Sequence, residues 1–250
     1  MIRVCIAGIT GWVGRPLAAA VAASDDLELV AGVARSDPEH FSSVDQALAA
    51  GPVDVLVDYT SATAVKANVI AALDRGVGVV IGSSGLSGED FHEIDRLAQE
   101  AGLGVIAAGN FSLTAALMLR FAAEAARHLD QREVIDYASA NKPDAPSGTA
   151  REVAERMAAS GPASQEIAVS DVLGPREARG ASVATTQVHS LRLPSFSVST
   201  EVIFAAADER LSIRHDAGHS ATPYLAGTLL AIRSLPGRVG LVRGLDHLLF

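Results

Sequence analysis

The opening stretch "IRVCIAGITGWVGRPLAAAV", Ile2 to Val21, constrains the fold more than any other. A β-rich apolar run leads into glycines at 8, 11 and 14, and an alanine-rich segment of helical length follows. Glycines at this spacing let a chain turn tightly and bring its backbone close to a pyrophosphate, while the helix start offers N–H groups and a partial positive charge. G-x-x-G-x-x-G is weak alone; a strand before it and a helix after it are the context that favours a dinucleotide site. A plain strand–turn–helix is the alternative.

The alternation continues. "LELVAGVA", "VDVLVDYT", "GVGVVIGSS" and "LGVIAAGN" read as strands, with helical "ATAVKANVIAALDRG" and "GEDFHEIDRLAQEAG" among them. Apolar strands alternating with helices predict a parallel sheet covered on both faces. Ser61 and Ser87 are candidate helix N-caps, and Gly76 and Gly102 candidate stops. After Asn110 the pattern changes. A long helix, "SLTAALMLRFAAEAARHL", precedes a loop and a second helix, "GTAREVAERMAAS". A polar excursion spans 162–188, and then come the strands "TTQVHSLRL", "FSVSTEVIFAA" and "ERLSIRHDA" and a helical tail. Short connections between those strands predict an antiparallel or mixed sheet. The expected fold is therefore α/β: a Rossmann-like N-terminal domain with a parallel sheet, plus an α+β C-terminal domain with a mixed sheet.

The net charge of −9 argues against a nucleic-acid partner, which needs a basic face. With aromatics at only 4%, the core must be aliphatic and alanine-rich. The single cysteine, Cys5, lies in an apolar run and reads as a small buried hydrophobe. No membrane-spanning run, signal peptide or metal-ligand cluster is expected, and the location reads as cytoplasmic.

The end of the second strand bears on the cofactor. An NAD-binding fold often places an acid there for the ribose hydroxyls. Here Ala34 holds that position, with Arg35 and Ser36 next. A guanidinium suits a 2′-phosphate, so Arg35 favours NADPH over NADH, and Arg15 adds charge near the phosphates. The alternative is that Arg35 is a solvated surface residue and Asp37 supplies the acid.

The second chemical signal is "YASANKPDAPSGTA", Tyr137 to Ala150. Pro143 and Pro146 stiffen it, and Ser147 or Thr149 can cap the helix that follows. The N–H groups of Ser147, Gly148 and Thr149 then suit a carboxylate, with Lys142 as a cation or donor. An N-capped helix after a rigid turn is the bland reading, in which Asp144 pairs with Lys142 or holds the loop.

Taken together, "GITGWVGR", "VLVDYTSA", "GVVIGSSG", "AAGNFSLT", "KPDAPSGTA" and "TEVIFAAADERLSIRHDA" resemble the 4-hydroxy-tetrahydrodipicolinate (dihydrodipicolinate) reductase family over nearly the whole chain. The resemblance implies a dinucleotide-binding domain of residues 1–109 plus 219–250. It implies a substrate-binding and oligomerisation domain of residues 110–218 that builds a homotetramer. It implies hydride transfer from NADPH or NADH to an imine-type carboxylate substrate. Gly8, Gly11, Gly14 and Arg15 match the cofactor loop, in which Thr10, Trp12 and Val13 also lie, and Arg35 and Ser36 remain the candidates at the adenosine ribose. Tyr59, Thr60, Gly82, Ser83 and Ser84 fall at the nicotinamide, and Asn110 and Phe111 at the hinge. Lys142 matches the catalytic proton donor; Ser147, Gly148 and Thr149 match the carboxylate-binding turn.

Some positions depart from the family. A His-His pair three and four positions before the lysine is replaced by Ala138 and Ser139. A basic residue after the last-strand histidine is replaced by Asp216, following His215, and a later arginine by Ser220. An Arg-Gly-Gly stretch reads Arg192, Leu193, Pro194. Three readings follow. The first is a family reductase with an altered substrate, in which Asp216 meets a cationic group. The second is the family's ordinary reaction. The third is a non-catalytic, nucleotide-binding regulator.

Overall fold

The computed structural model describes residues 1–250. The chain divides into two compact units, Met1–Leu113 with Ala221–Phe250, and Thr114–Ser220.

The first unit is built on a six-stranded parallel sheet: β1 (Ile2–Ala7), β2 (Leu27–Val33), β3 (Val55–Asp58), β4 (Gly78–Ile81), β5 (Gly104–Ala107) and β11 (Gly240–Arg243). Their order is β11-β5-β4-β3-β1-β2. All four residues of each of β3, β4 and β5 are buried, as expected of strands covered on both faces. Helices α1 (Gly14–Ala22), α2 (Val44–Ala50), α3 (Val65–Leu73), α4 (Gly88–Ala101) and α7 (Thr222–Ser234) accompany it. Leu56, Val69, Ile81 and Ile94 are core members. Cys5 is in the same core, and burial pushes its thiol up to about 12. The strand order reverses between β1 and β3, the crevice where folds of this kind bind nucleotides.

Helix ends follow the expected chemistry at Ser87, which forms a capping box with Asp90, and at Gly102, a left-handed C-cap. Ser61 does not cap: α3 starts after Ala64, and the Ser61 hydroxyl bonds Thr63. Two short elements escaped the sequence reading, α2, capped by Ser43, and the four-residue β11. No helix is long and apolar enough to cross a membrane.

The second unit has a mixed five-stranded sheet, order β10-β9-β6-β8-β7. The strands are β6 (Gln131–Ala138), β7 (Ala181–Val183), β8 (Thr186–Arg192), β9 (Val198–Ala206) and β10 (Glu209–Ala217). β6 and β8 are parallel; the other pairs are antiparallel. Helices α5 (Leu113–Ala125) and α6 (Gly148–Ala158) supply Met118, Leu119, Val153 and Met157 to a core shared with Val134, Val202 and Phe204.

β6 was hidden in sequence because its inward positions include two charged residues. Arg132, Val134, Asp136 and Ala138 are buried and alternate with half-exposed residues. Arg132 survives burial by donating to the carbonyls of Ala126, Leu129, Met157 and Gly161, so one guanidinium serves the ends of both helices. Tyr137 and Ala138 therefore belong to a strand, and the loop proper begins at Ser139. The excursion at 162–188 contains two short 3-10 turns, β7 and the first residues of β8.

Candidate active site

The β1–α1 turn is shaped by missing side chains. A Cβ on Gly8 would lie 2.2 Å from the Tyr59 carbonyl oxygen, and one on Gly14 would lie 2.1 Å from the Gly8 carbonyl oxygen. Gly8 also takes φ +82°, which favours glycine. Helix α1 begins with no side-chain cap and no acid in its first turn, and the N–H groups of Val13 and Gly14 find no acceptor in the chain. Unpaired donors at a helix start are the arrangement a phosphate requires, so the residues present fit a dinucleotide. Trp12 stands exposed with its ring edge-on to Tyr224, centroids 5.7 Å apart.

After β2, Ala34 is buried, while Arg35 and Ser36 are exposed. Asp37 is engaged locally: its carboxylate accepts the Glu39 N–H at 3.0 Å and faces His40 at 4.0 Å.

The loops after β3 and β4 are tied together by a residue that sequence reasoning missed. Asp58, fully buried, accepts the Thr60 N–H (3.0 Å), the Thr60 hydroxyl (2.8 Å) and the Ser83 hydroxyl (2.6 Å) on one oxygen. Its other oxygen accepts Asn68 Nδ2 at 2.7 Å. Burying a carboxylate costs several kcal/mol in desolvation unless donors replace water, and four do so here. Behind this pair of loops, Tyr59 bonds Thr228 at 2.7 Å, which also donates to the Tyr224 carbonyl. A Cβ on Gly82 would strike the Tyr59 ring at 2.1 Å, which explains that glycine. Ser84 is exposed. Asn110 accepts the Ser112 N–H at 2.8 Å, and Phe111 is buried edge-on to Tyr59.

In the second unit the β6–α6 loop carries the other set. Ser147 is the α6 N-cap, accepting the Ala150 N–H at 3.3 Å. Gly148 opens the helix with nothing within 4 Å of a would-be Cβ, so space lies beside the helix start. Thr149 is buried next to it. Lys142 places its ammonium 2.8 Å from the Asp144 carboxylate. Burial pushes that carboxyl up, but the hydrogen bond and charge of Lys142 outweigh it and hold Asp144 below the usual carboxylate range. Arg192 reaches in from β8, donating to Asp136 Oδ2 at 2.8 Å and to the Asp144 carbonyl at 2.5 Å.

Comparison with known proteins decides what this arrangement belongs to. The family described as "Dihydrodipicolinate reductase, N-terminus" matches residues 2–111, and "Dihydrodipicolinate reductase, C-terminus" matches residues 114–249. The chain belongs to the dihydrodipicolinate reductase family. A 4-hydroxy-tetrahydrodipicolinate reductase of Cutibacterium acnes is 37% identical over 255 residues, covering 100% of this chain and 99% of the relative. One from Halalkalibacterium halodurans is 34% identical over 264 residues, covering 100% of both. Among solved structures, a dipicolinate-bound dihydrodipicolinate reductase from Paenisporosarcina sp. TG-14 superposes with a TM-score of 0.82 at 28% identity, covering 99% of each chain. GenD2 from gentamicin A biosynthesis, in complex with NAD, shares the fold with a TM-score of 0.69 at 14% identity.

As a member of this reductase family, the chain is an oxidoreductase that uses a nicotinamide nucleotide, NADPH or NADH. That leaves no ground for the regulator reading.

The structure adds Asp58, Asn68, Asp136, Ser190 and Arg192 to the residues around these loops. A lone aspartate ending an apolar strand, "VLVD", was the available signal for Asp58.

It also places Asp216 away from the loop's covered side. In β10, His215 pairs with Thr200 and is buried, whereas Asp216 pairs with Ser199 and turns to the opposite, open face. There its carboxylate receives Arg214 Nε and Nη2 at 2.9–3.1 Å. The Arg214 hydrogen bond and charge hold Asp216 below the usual carboxylate range, against burial. Arg214 in turn lies 4.8 Å over the Tyr137 ring and 3.6 Å from Glu201.

Proposed function

We propose that this protein is a 4-hydroxy-tetrahydrodipicolinate reductase of lysine and diaminopimelate biosynthesis. The observation that carries the reading is the intact Lys142-to-Thr149 loop with its open helix start at Gly148, in a chain matched end to end by reductases of that name. The altered-substrate reading thereby becomes the second one.

In this reaction Gly8, Thr10, Gly11, Trp12, Val13, Gly14 and Arg15 hold the dinucleotide phosphates. Arg35 and Ser36 receive the 2′-phosphate, which favours NADPH: no acid stands at Ala34, and Asp37 is engaged with Glu39 and His40. Tyr59, Thr60, Gly82, Ser83 and Ser84 line the nicotinamide end, with Asn110 and Phe111 behind. When bound, the cofactor supplies the hydride. Ser147, Gly148 and Thr149 take one substrate carboxylate at the α6 N-terminus. Lys142 leaves Asp144 and acts as the proton donor that balances the hydride. The unit Thr114–Ser220 binds substrate and assembles the homotetramer, and the unit formed by Met1–Leu113 and Ala221–Phe250 binds cofactor. The setting is cytoplasmic.

A second reading keeps the hydride chemistry but changes the substrate to one with a single carboxylate or an added amine. It is favoured by Ala138 and Ser139, which carry no imidazole. Loss of NADPH absorbance with dihydrodipicolinate, measured against a panel of cyclic and acyclic imines, separates the two. Turnover of dihydrodipicolinate and rescue of a diaminopimelate-requiring strain support the first. Turnover only of a monocarboxylate or amine-bearing imine supports the second.

A further inference from the structure

Asp136 and Arg192 are fifty-six residues apart in sequence and meet beneath the substrate loop. Asp136 has a fully buried side chain, and Arg192 is only 16% exposed. One carboxylate oxygen of Asp136 accepts three donors: Ser147 N–H (2.8 Å), the Ser190 hydroxyl (3.1 Å) and Arg192 Nη2 (2.8 Å). The same Nη2 donates to the Asp144 carbonyl at 2.5 Å, and Nη1 reaches the Leu191 carbonyl at 2.9 Å. The loop is thus gripped at Asp144 and at Ser147, the two sides of its Ala145–Pro146 turn.

The pair is not what fold stability alone selects. Asp136 Oδ1 and Arg192 Nε are buried with no partner. A buried ion pair with unfilled valences contributes little net stability, and an apolar replacement often does as well. Its position answers a different need. α6 has no acid at its third position, where Ala150 stands, so Asp136 supplies the carboxylate that holds the N-cap N–H. A lone anion there would repel the substrate carboxylate at Gly148. Arg192 neutralises it.

Building on the reductase reading above, we propose that Asp136 and Arg192 form a charge-neutral clamp. It is a pair of positioning residues that fixes the Lys142-to-Thr149 loop and keeps the carboxylate site at the start of α6 free of negative charge. Arg192 sets the proton donor's neighbour, Asp144, and Asp136 sets the helix start.

The test compares Arg192→Gln, Arg192→Lys and the double variant Asp136→Asn/Arg192→Gln with the wild-type full chain. Four quantities are read: KM and kcat with dihydrodipicolinate, the Kd for NADPH, and amide hydrogen exchange across residues 139–150 and across β9. Loss of a charge-assisted hydrogen bond is worth a factor of about 10–100. Arg192→Gln is expected to raise KM by about tenfold or more and to speed exchange in the loop, with β9 exchange and the NADPH Kd within about twofold of wild type. The double variant should recover part of the KM, because the buried anion is gone. Arg192→Lys keeps the charge and should fall between wild type and Arg192→Gln; should Arg192→Gln fail to fold, Arg192→Lys carries the test. An unchanged KM together with unchanged loop exchange overturns the clamp. A double variant as impaired as Arg192→Gln overturns its electrostatic half. If the wild type does not turn over dihydrodipicolinate, the reaction assignment falls, and loop exchange alone decides the clamp.

Discussion

The ammonium of Lys142 sits 2.8 Å from the carboxylate of Asp144, so the proposed proton donor carries its counterion two residues along its own loop. Substrate must draw Lys142 away from Asp144. Lys142→Met is therefore expected to lower kcat by about 10²–10⁴, the usual worth of a positioned general acid, while leaving the NADPH Kd unchanged. Steady-state kinetics beside a cofactor titration check this; wild-type kcat in the variant removes Lys142 from the chemistry.

Gly148 gives a cleaner test of the carboxylate site. Its φ is ordinary and a Cβ there meets nothing, so the fold does not require glycine. Alanine is the better helix residue by up to about 1 kcal/mol. Gly148→Ala should hold or raise the unfolding midpoint yet raise KM for the carboxylate substrate about tenfold, as the methyl blocks the helix-start donors. A KM equal to wild type would place the carboxylate elsewhere.

Arg35 is exposed and makes no ion pair in the structure, so its removal costs the fold nothing. Arg35→Ala is expected to weaken NADPH binding about 10–100-fold and leave NADH binding alone, since only the 2′-phosphate is lost. Trp12, the single tryptophan, stands exposed in the β1–α1 turn, and its fluorescence is the readout for both titrations. Equal loss for the two cofactors would show that Arg35 does not discriminate between them.

Asp58 should matter to both stability and cofactor. Asp58→Asn turns one of its acceptor oxygens into a donor facing Asn68, or facing Ser83 and Thr60. We expect a loss of about 1–3 kcal/mol in urea unfolding together with a raised KM for NADPH, because the loops after β3 and β4 lose their common anchor. Unchanged cofactor kinetics would confine Asp58 to the fold.

The pH dependence follows from His215. Burial pushes its imidazole below the ordinary value of 6.5, with Asp216 pulling weakly the other way. The unfolded chain then binds the proton more readily. Stability is accordingly full above about pH 6.5 and falls as the pH drops from there towards the lowered folded value. Below the carboxylate range, Asp144 and Asp216, both held low, add a second loss as they protonate. Urea midpoints between pH 7 and 5 should fall in the wild type and fall less in His215→Asn. Parallel curves would rule His215 out as the source.

What the sequence determined by itself is local. Gly11 and Gly14 were legible because their close approach to the Gly8 carbonyl and the helix start act within a few residues, whereas the contact of Gly8 with the Tyr59 carbonyl comes from a neighbouring strand. The capping box of Ser87 and Asp90 and the cap at Ser147 are local for the same reason. The tertiary structure decided what depends on pairing between distant strands. β6 could not be read while Arg132 and Asp136 occupied inward positions, because the partners that pay for their burial lie at Gly161 and Arg192. Asp216 could not be assigned to a face until the β9–β10 register turned His215 inward and Asp216 outward. Asp58 became a hub only when β3 and β4 lay side by side and brought Ser83 within 2.6 Å. Local spacing carries steric and capping rules; burial, charge compensation and the direction of a side chain are set by neighbours that only the folded sheet supplies.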